Sequence, residues 1–600
     1  MINKKINIVT ERIIKRSKIS RNKYLSQMKK LFSEDFSRSR LSCGNLAHGF
    51  AGCNKKDKTN LSKNKVPNIG IITAYNDMLS AHKTYEDYPK KIRKYAEKFN
   101  AVAQVSSGVP AMCDGITQGQ TGMELSLMSR DIISLSTSIG LSHDMYDSII
   151  CLGICDKIVP GLLVGCLKFG HLPAAFLPGG PMETGISNEL KSKIRQDFAE
   201  GKIDRAALLK GESDSYHSSG TCTFYGTANS NQMLLEIMGL QLPGSSFVNP
   251  NSKLRELLNE EIIRVLIENS NKKSFEYSLC NIICEKTIVN AIIGLLATGG
   301  STNHTIHLIA IAKSAGIIIN WDDFSDLSEI IPLIVNVYPN GNADINHFHA
   351  SGGMGFVIHT LLQNNLIHED VNTILGYGLN KFTQEPKIIN NKIQWVQGQK
   401  FSLNTEIITP ADKPFNSQSG LKIMKGNVGR GVIKTSSLKN PEFQIVAPCV
   451  VFNEQEDLID EFKKNNLNKD FIAVLPFQGP KSNGMPELHK LNPILNVLQN
   501  RGHKIALVTD GRMSGASGKT PSIIHVVPEA KEGGLLSKIK SGDLMSININ
   551  EGTIDCIDKN IEKRKSRIKN YPDLYGNGRE LFSNIKMNLS SSEEGASFIV

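Results

Sequence analysis

The sequence predicts an α/β protein: an N-terminal parallel sheet with helices on both faces (α/β/α), followed by a β-barrel-like domain with helices. Three observations lead there. Short apolar runs (NIGIIT, SIICLGI, LPAAFL) are each followed by a polar or glycine-rich turn and a helical pattern, the rhythm of parallel strands joined by crossover helices. From about Lys387 the segments become short and β-rich between turns (IIN, IQWV, LKIMKGNV, GVIKTS, FQIVAPCVVF), which suits a barrel or sandwich. At 600 residues the chain also exceeds one usual hydrophobic core. The break is placed at 385–405, dividing an α/β domain, 1–390, from a β-rich domain, 391–600.

Taken in order, residues 1–65 read as helix and then as a polar loop ending in CNKKDKTNLSKNK. A buried strand, Ile69–Thr73, precedes the polar turn AYNDMLSAH. The next block gives a strand, a glycine-rich loop around Asp114 and a helix of apolar spacing. SIICLGI then delivers Cys155, Asp156 and Lys157 to a turn closed by Pro160 and Gly161. A thiolate donor, a carboxylate and an amine thus sit side by side at a strand end, where open α/β sheets place their ligands. That stretch reads as the working end of a metal site. A charged helix running through Lys210, the loop of Cys222 before an amphipathic helix, and the turn ATGGSTNH before another helix complete the first domain.

Composition narrows the classes of function. The net charge of +11 comes from scattered lysines, with no basic-aromatic module for nucleic acid. The longest apolar runs fall short of the ~18 residues of a membrane span, and the N-terminus lacks the apolar core of a secretory signal. The expectation is a cytoplasmic protein that binds neither nucleic acid nor membrane and takes a small anionic substrate. Eleven cysteines without a disulfide spacing are expected as thiols.

Several constellations carry chemistry, each with a plain alternative. Cys155 and Cys222 lie in loops with glycine neighbours and are either buried thiols or ligands of an iron–sulfur cluster. Asp114, Asp156 and Lys157 are either turn and cap residues or a Mg²⁺ set. In V508-T-D-G-R-M-S-G-A-S-G-K-T520 a strand enters a Gly/Ser loop; Met513 breaks the phosphate-loop pattern. Arg512 and Lys519 suit an anion there, and Ser514 is either a turn serine or a reactive one.

Together the blocks CDKIVPG, GPM, GTCTFYGTANSNQM, ATGGSTNH and TDGRMSGASG resemble the dihydroxy-acid dehydratase/6-phosphogluconate dehydratase family over nearly the whole chain. LSCGNLAHGF, TAYNDMLSAH, GVPAMCDGITQGQTGMELSLMSRD and FQGPKSNGMPELHKL point to its phosphogluconate branch. The resemblance implies anti removal of water from 6-phospho-D-gluconate, a sugar-acid phosphate, in the Entner–Doudoroff pathway; dihydroxy acids or unphosphorylated aldonic acids are the alternative substrates. It also implies a 4Fe–4S cluster on Cys155 and Cys222, Ser514 as the base, and Asp114, Asp156 and Lys157 at Mg²⁺ or Mn²⁺ positions, with a lysine open to carbamylation. A homodimer fits the family. Two departures stand out. Ala81 occupies the position of a third cluster cysteine of the dihydroxy-acid branch, leaving Cys113 as the nearest substitute. Gln478 stands where that branch has Glu, so a carboxylate is expected to be missing. Lys481, Arg512 and Lys519 are the expected phosphate contacts. A cluster-carrying binding protein without catalysis is the reading from another class.

Overall fold

The computed structural model of the chain describes residues 2–438, 440, 443–515, 517–569, 576 and 578–600. Ala516 of the TDGRMSGASG block lies outside them. The first helix, α1 (Lys4–Leu31), buries Ile6, Val9 and Ile13 and presents its lysines outward. The segment expected as a loop is in part a helix, Lys55–Ser62, because the Asn54 side chain caps the Asp57 backbone N–H.

Four strands form the first sheet: β1 (Asn68–Thr73), β2 (Val102–Gly108), β3 (Ser148–Leu152) and β4 (Ala174–Phe176). Their order is β2-β1-β3-β4, and every pairing is parallel. The connection from β1 leaves to one side and that from β3 to the other, so the chain reverses direction across the sheet between these neighbours. Such a switch point opens a crevice at the carboxyl ends of the strands. Every residue of β3 is buried, as a strand covered on both faces requires.

Two helices pin that end of the sheet: α2 (Ser129–Leu141) and α3 (Ile158–Leu167). They pack closely because glycine faces backbone at the contact. A Cβ on Gly161 would lie 2.6 Å from the Arg130 carbonyl oxygen, and one on Gly165 would lie 2.8 Å from that of Ser134. The glycine of CDKIVPG is therefore a packing residue. The charged stretch expected as one helix is broken into α4 (Asn188–Ala199) and a second helix over Arg205–Ser215. Beyond it come α5 (Thr227–Ile237) and α6 (His304–Ser314).

The second half closes into an eight-stranded barrel. Its strands are β5 (Leu421–Gly426), β6 (Gly429–Lys434), β7 (Gln444–Val451), β8 (Phe471–Leu475), β9 (Ile505–Thr509), β10 (Ser522–Val527), β11 (Leu544–Asn548) and β12 (Thr553–Cys556). The order around it is β6-β10-β9-β8-β7-β11-β12-β5. Closure leaves no free edge. The segments IIN and IQWV form a separate hairpin, Gln384–Ile389 with Lys392–Gln397, outside the barrel. Strands β8 and β9 are parallel neighbours and fully buried, so the loops that follow them emerge at one end of the barrel. That end faces the crevice of the first sheet. No helix among the described residues is long and apolar enough to cross a membrane.

Gly161→Ala is expected to cost about 1–3 kcal/mol, read as a lowered Tm. Gly52→Ala, where an added carbon meets nothing within 4 Å, serves as the neutral control.

Candidate active site at the junction of the two halves

The loop after β3 places three functional side chains in succession. Cys155 adopts φ +69°, a left-handed conformation that costs a non-glycine residue roughly 1–3 kcal/mol. The Asn231 amide holds it by donating to the Cys155 and Asp156 carbonyls (2.9 and 3.1 Å). Two residues earlier on α5, the Asn229 amide donates to the carbonyls of Cys222 (2.7 Å) and Phe224 (2.8 Å). The first turns of α5 thus clamp both cysteine loops.

Cys113, in the loop after β2, joins them. The thiols of Cys113, Cys155 and Cys222 lie within electrostatic reach of one another. Burial pushes the Cys155 thiol well up, and Cys113 and Cys222 push it further; Cys222 is pushed up to about 12 by burial and by Cys113. Their thiolates therefore form at neutral pH only where a bound cation takes the charge. A trio of soft donors on three loops fits an iron–sulfur cluster. Ala81 is buried in the wall beside them. The neighbouring His82 Nε2 lies 3.1 Å from the Ile154 carbonyl oxygen, and the Ser80 carbonyl accepts from the Gly220 N–H at 2.9 Å.

Beside the thiols is a buried charge cluster drawn from both halves. Asp114, Asp156 and Glu487 each offer an oxygen within 4.8 Å of the others. The Arg512 guanidinium is the knot that ties them: Nη1 donates to Asp156 (2.7 Å) and Glu487 (3.0 Å), and Nη2 to Asp114 (3.0 Å). Its Nε donates to the Met485 carbonyl at 2.8 Å. Lys157, fully buried, pairs with Asp114 and stands 3.3 Å from Asp156, yet its Nζ has no well-angled hydrogen bond. His307 Nε2 lies 3.1 Å from Asp156.

The electrostatics separate the carboxylates. At Asp156 burial works against ionisation, but Lys157 and Arg512 outweigh it and hold the group well below the usual range. Asp114 is lowered by the same balance. Burial and the Asp114 carboxylate raise Glu487 to about 7. With Glu487 ionised, three carboxylates against Lys157 and Arg512 leave excess negative charge, and an oxygen donor set of this kind suits a hard divalent cation.

Ser514 follows β9 and is half-buried. A Cβ on the adjacent Gly515 would lie 2.7 Å from Ser301 Oγ and 2.8 Å from the Thr227 backbone nitrogen. The loop is thus pressed onto ATGGST and onto the start of α5, the helix that clamps the cysteines.

The structure brings Asp114, Cys155, Asp156, Lys157, Cys222 and Arg512 into this region and sets the Ser514 loop against it. Two sequence expectations are corrected. No carboxylate is missing, because Glu487 completes the trio; it sat unremarked in GMPEL, where a lone acidic group between apolar residues was the available signal. Gln478 lies elsewhere: its amide donates to the Asn453 carbonyl (3.2 Å) and its carbonyl accepts from Asn483 (2.9 Å). Among the expected phosphate contacts, Arg512 is committed to the carboxylates, and Lys481 pairs with Glu532. Lys519 lies over the Tyr338 ring, 5.3 Å from its centroid.

The dihydroxy-acid/6-phosphogluconate dehydratase N-terminal family matches residues 66–382, and the corresponding C-terminal family matches 406–596. The chain is 52% identical to a phosphogluconate dehydratase of Escherichia coli (strain K12), over 98% of each chain. It is 50% identical to one of Rhizobium meliloti (strain 1021), over 99% of each. A dihydroxy-acid dehydratase of Helicobacter hepaticus is 31% identical, over 84% of this chain and 89% of its own.

Arg512→Leu would leave three buried carboxylates facing one another. It is expected to cost about 3–5 kcal/mol, read from the denaturant midpoint. Added Mn²⁺ is expected to restore part of the loss by binding the folded state.

Proposed function

The chain belongs to the dihydroxy-acid/6-phosphogluconate dehydratase family, and from that premise we infer that it is a hydro-lyase acting on 6-phospho-D-gluconate. The product is 2-dehydro-3-deoxy-6-phospho-D-gluconate, and the reaction is the dehydration step of the Entner–Doudoroff pathway. The observation that carries this reading is the full-length match at 52% identity to a phosphogluconate dehydratase, against 31% to a dihydroxy-acid dehydratase.

The reaction has two difficulties. The C2 proton lies next to a carboxylate and is weakly acidic, and hydroxide leaves poorly from C3. We assign Cys113, Cys155 and Cys222 to an iron–sulfur cluster of the 4Fe–4S type, and Asp114, Asp156 and Glu487 to Mg²⁺ or Mn²⁺. Bound there, such groups supply Lewis acidity toward the C3 hydroxyl and countercharge for the enolate-like carboxylate.

The protein's own residues do the rest. Ser514 Oγ is assigned the C2 proton. The base comes from the barrel half and the thiols from the sheet half, which suits an anti elimination, where proton and hydroxide depart from opposite faces. Arg512 keeps the carboxylates gathered at one point, Asn229 and Asn231 hold the cysteine loops, and His307 orients Asp156. The enol product tautomerises to the 2-keto acid. A reducing cytoplasm suits the free cysteines, and a homodimer is the assembly the family resemblance implies.

Protein purified without oxygen is expected to contain iron and acid-labile sulfide, and to turn over 6-phosphogluconate far faster than gluconate or dihydroxyisovalerate. Preference for either of the latter would reassign the substrate. The double variant Cys155→Ser, Cys222→Ser is expected to lose its iron. Ser514→Ala is expected to keep the iron and lose roughly 10²–10⁴-fold in kcat; full activity would remove it as the base.

A further inference from the structure

A serine hydroxyl is a poor base at neutral pH, so a serine that takes a carbon-bound proton needs a partner to receive its own. One buried basic group that the reaction leaves unused lies against the Ser514 loop. Lys434 closes β6 and is 7% exposed. Its Nζ is buried and has no hydrogen-bond partner. Lys157 stands between two carboxylates, but no carboxylate pairs with Lys434 among the described residues. Leu421 across the barrel sheet, and Ser437 and Gly518 near its stem, bring no charge. Burial therefore lowers the amine to about 7. An ammonium without a counter-ion is costly to bury, and such a place favours the neutral amine, which is a base.

The chain that carries Ser514 passes over this lysine. The Ser517 N–H donates to the Ser514 carbonyl at 2.9 Å, which draws those two residues together, and Gly518 follows. A Cβ on Gly518 would lie 3.3 Å from Lys434 Cδ and 2.8 Å from Ser437 Oγ. From Cδ the amine is two bonds away. Ser436 and Ser437 both donate to Asn340 Oδ1, at 2.9 and 2.8 Å. Asn340 in turn stands against Gly299, where a Cβ would lie 2.3 Å from its Nδ2. Gly299 and Ser301 belong to one turn, and Ser301 holds the other end of the serine segment at Gly515. The segment is thus fixed between ATGGST and the end of β6, with the lysine stem beneath its far end.

The other contacts of this loop offer no base. They are the hydroxyls of Ser301 and Thr227 at Gly515, the Asn492 amide on Ser517, and the amides of Asn496 and Gln499 on Thr520. Lys519 lies over the Tyr338 ring. The buried imidazoles of His304 and His525 are lowered to about 3 by burial, too weak to take a proton from serine.

We propose that Lys434 and Ser514 act as one base, Lys434 Nζ receiving the hydroxyl proton of Ser514 as Ser514 Oγ removes the C2 proton. The assignment rests on the dehydratase reading above. The Oγ–H bond breaks toward the amine lone pair while a new Oγ–H bond forms with the C2 proton. The C2–H electron pair becomes the new carbon–carbon bond, and the C3–O bond breaks with its pair on hydroxide. The ammonium returns its proton to water, where it neutralises that hydroxide, and the amine is restored. Lys434 acts through Ser514 and is a positioning and proton-holding residue.

The test uses cluster-loaded enzyme purified without oxygen, with 6-phosphogluconate as substrate. Lys434→Met removes an unpaired buried amine and is expected to keep its fold and iron. Its kcat is expected to fall roughly 10²–10⁴-fold, with KM within about twofold. Lys434→Arg, which keeps the charge and cannot lose its proton, is expected to be as slow as Lys434→Met. The double variant Ser514→Ala, Lys434→Met is expected to fall no further than Ser514→Ala alone, as groups acting as a unit do. In the wild type kcat is expected to drop as pH falls through about 7, because the protonated amine accepts nothing, and Lys434→Met is expected to lose that limb. Normal kcat in Lys434→Met overturns the pair, as do recovery in Lys434→Arg, additive losses in the double variant, or an unchanged pH limb. If Lys434→Met loses its iron, Lys434→Ala is assayed with added methylamine; restored turnover supports the pair and no restoration overturns it. Wild-type enzyme that does not turn over 6-phosphogluconate refutes the dehydratase reading itself, whereas normal wild-type turnover with an indifferent Lys434→Met refutes only the pair.

Discussion

One guanidinium holds the two halves in register. Arg512 leaves the barrel at the end of β9, enters the crevice of the parallel sheet, and donates to Asp114 and Asp156 from one half and Glu487 from the other. Three carboxylates within 4.8 Å repel strongly at low dielectric, so this arrangement exists only with cations among them. Arg512 and Lys157 meet that need and in doing so orient the barrel on the sheet. A lysine in place of Arg512 has no planar fork with which to serve several carboxylates at once.

The same economy of means shapes the cysteine wall. Cys155 sits in a left-handed conformation at the strand end, and Asn231 secures that turn through two backbone carbonyls. Asn229 does the equivalent for the Cys222 loop. Both asparagines belong to GTCTFYGTANSNQM, so the motif supplies a cysteine together with the clamps that aim it and its distant partner. The glycines at 161 and 515 are used in the same spirit, letting backbone approach backbone where a helix or loop must lie close to the site.

Much of this was legible in the chain. The fold class read from apolar runs and turns is the one observed, a parallel sheet followed by a barrel, because continuous burial on both faces leaves an unmistakable apolar signature in β3, β8 and β9. The linear chain misleads where a local signal is weak or a partner is remote. The lysine- and asparagine-rich segment after Cys53 looked like loop on composition, yet one side-chain cap starts a helix there. Gln478 reads as a lost carboxylate by its place in the chain, whereas its side chain faces Asn453 and Asn483. Glu487 carries no local signal, because a single acidic residue in an apolar stretch acquires meaning only from its neighbours in space.

The sequence by itself determined the chemistry on offer: thiols, carboxylates and amines at the ends of strands, a serine in a glycine loop, and membership of a dehydratase family, since these follow from residue type, local apolar pattern and motif. Tertiary structure alone decided which of those groups work together. Cys113 with Cys155 and Cys222, and Glu487 with Asp114 and Asp156, are separated by tens to hundreds of residues; the thiols meet where the loops of the first half converge, and Glu487 joins its partners because the barrel docks on the switch point of the sheet. The energy of a charge depends on neighbours within a few ångströms, and that proximity is a property of the fold.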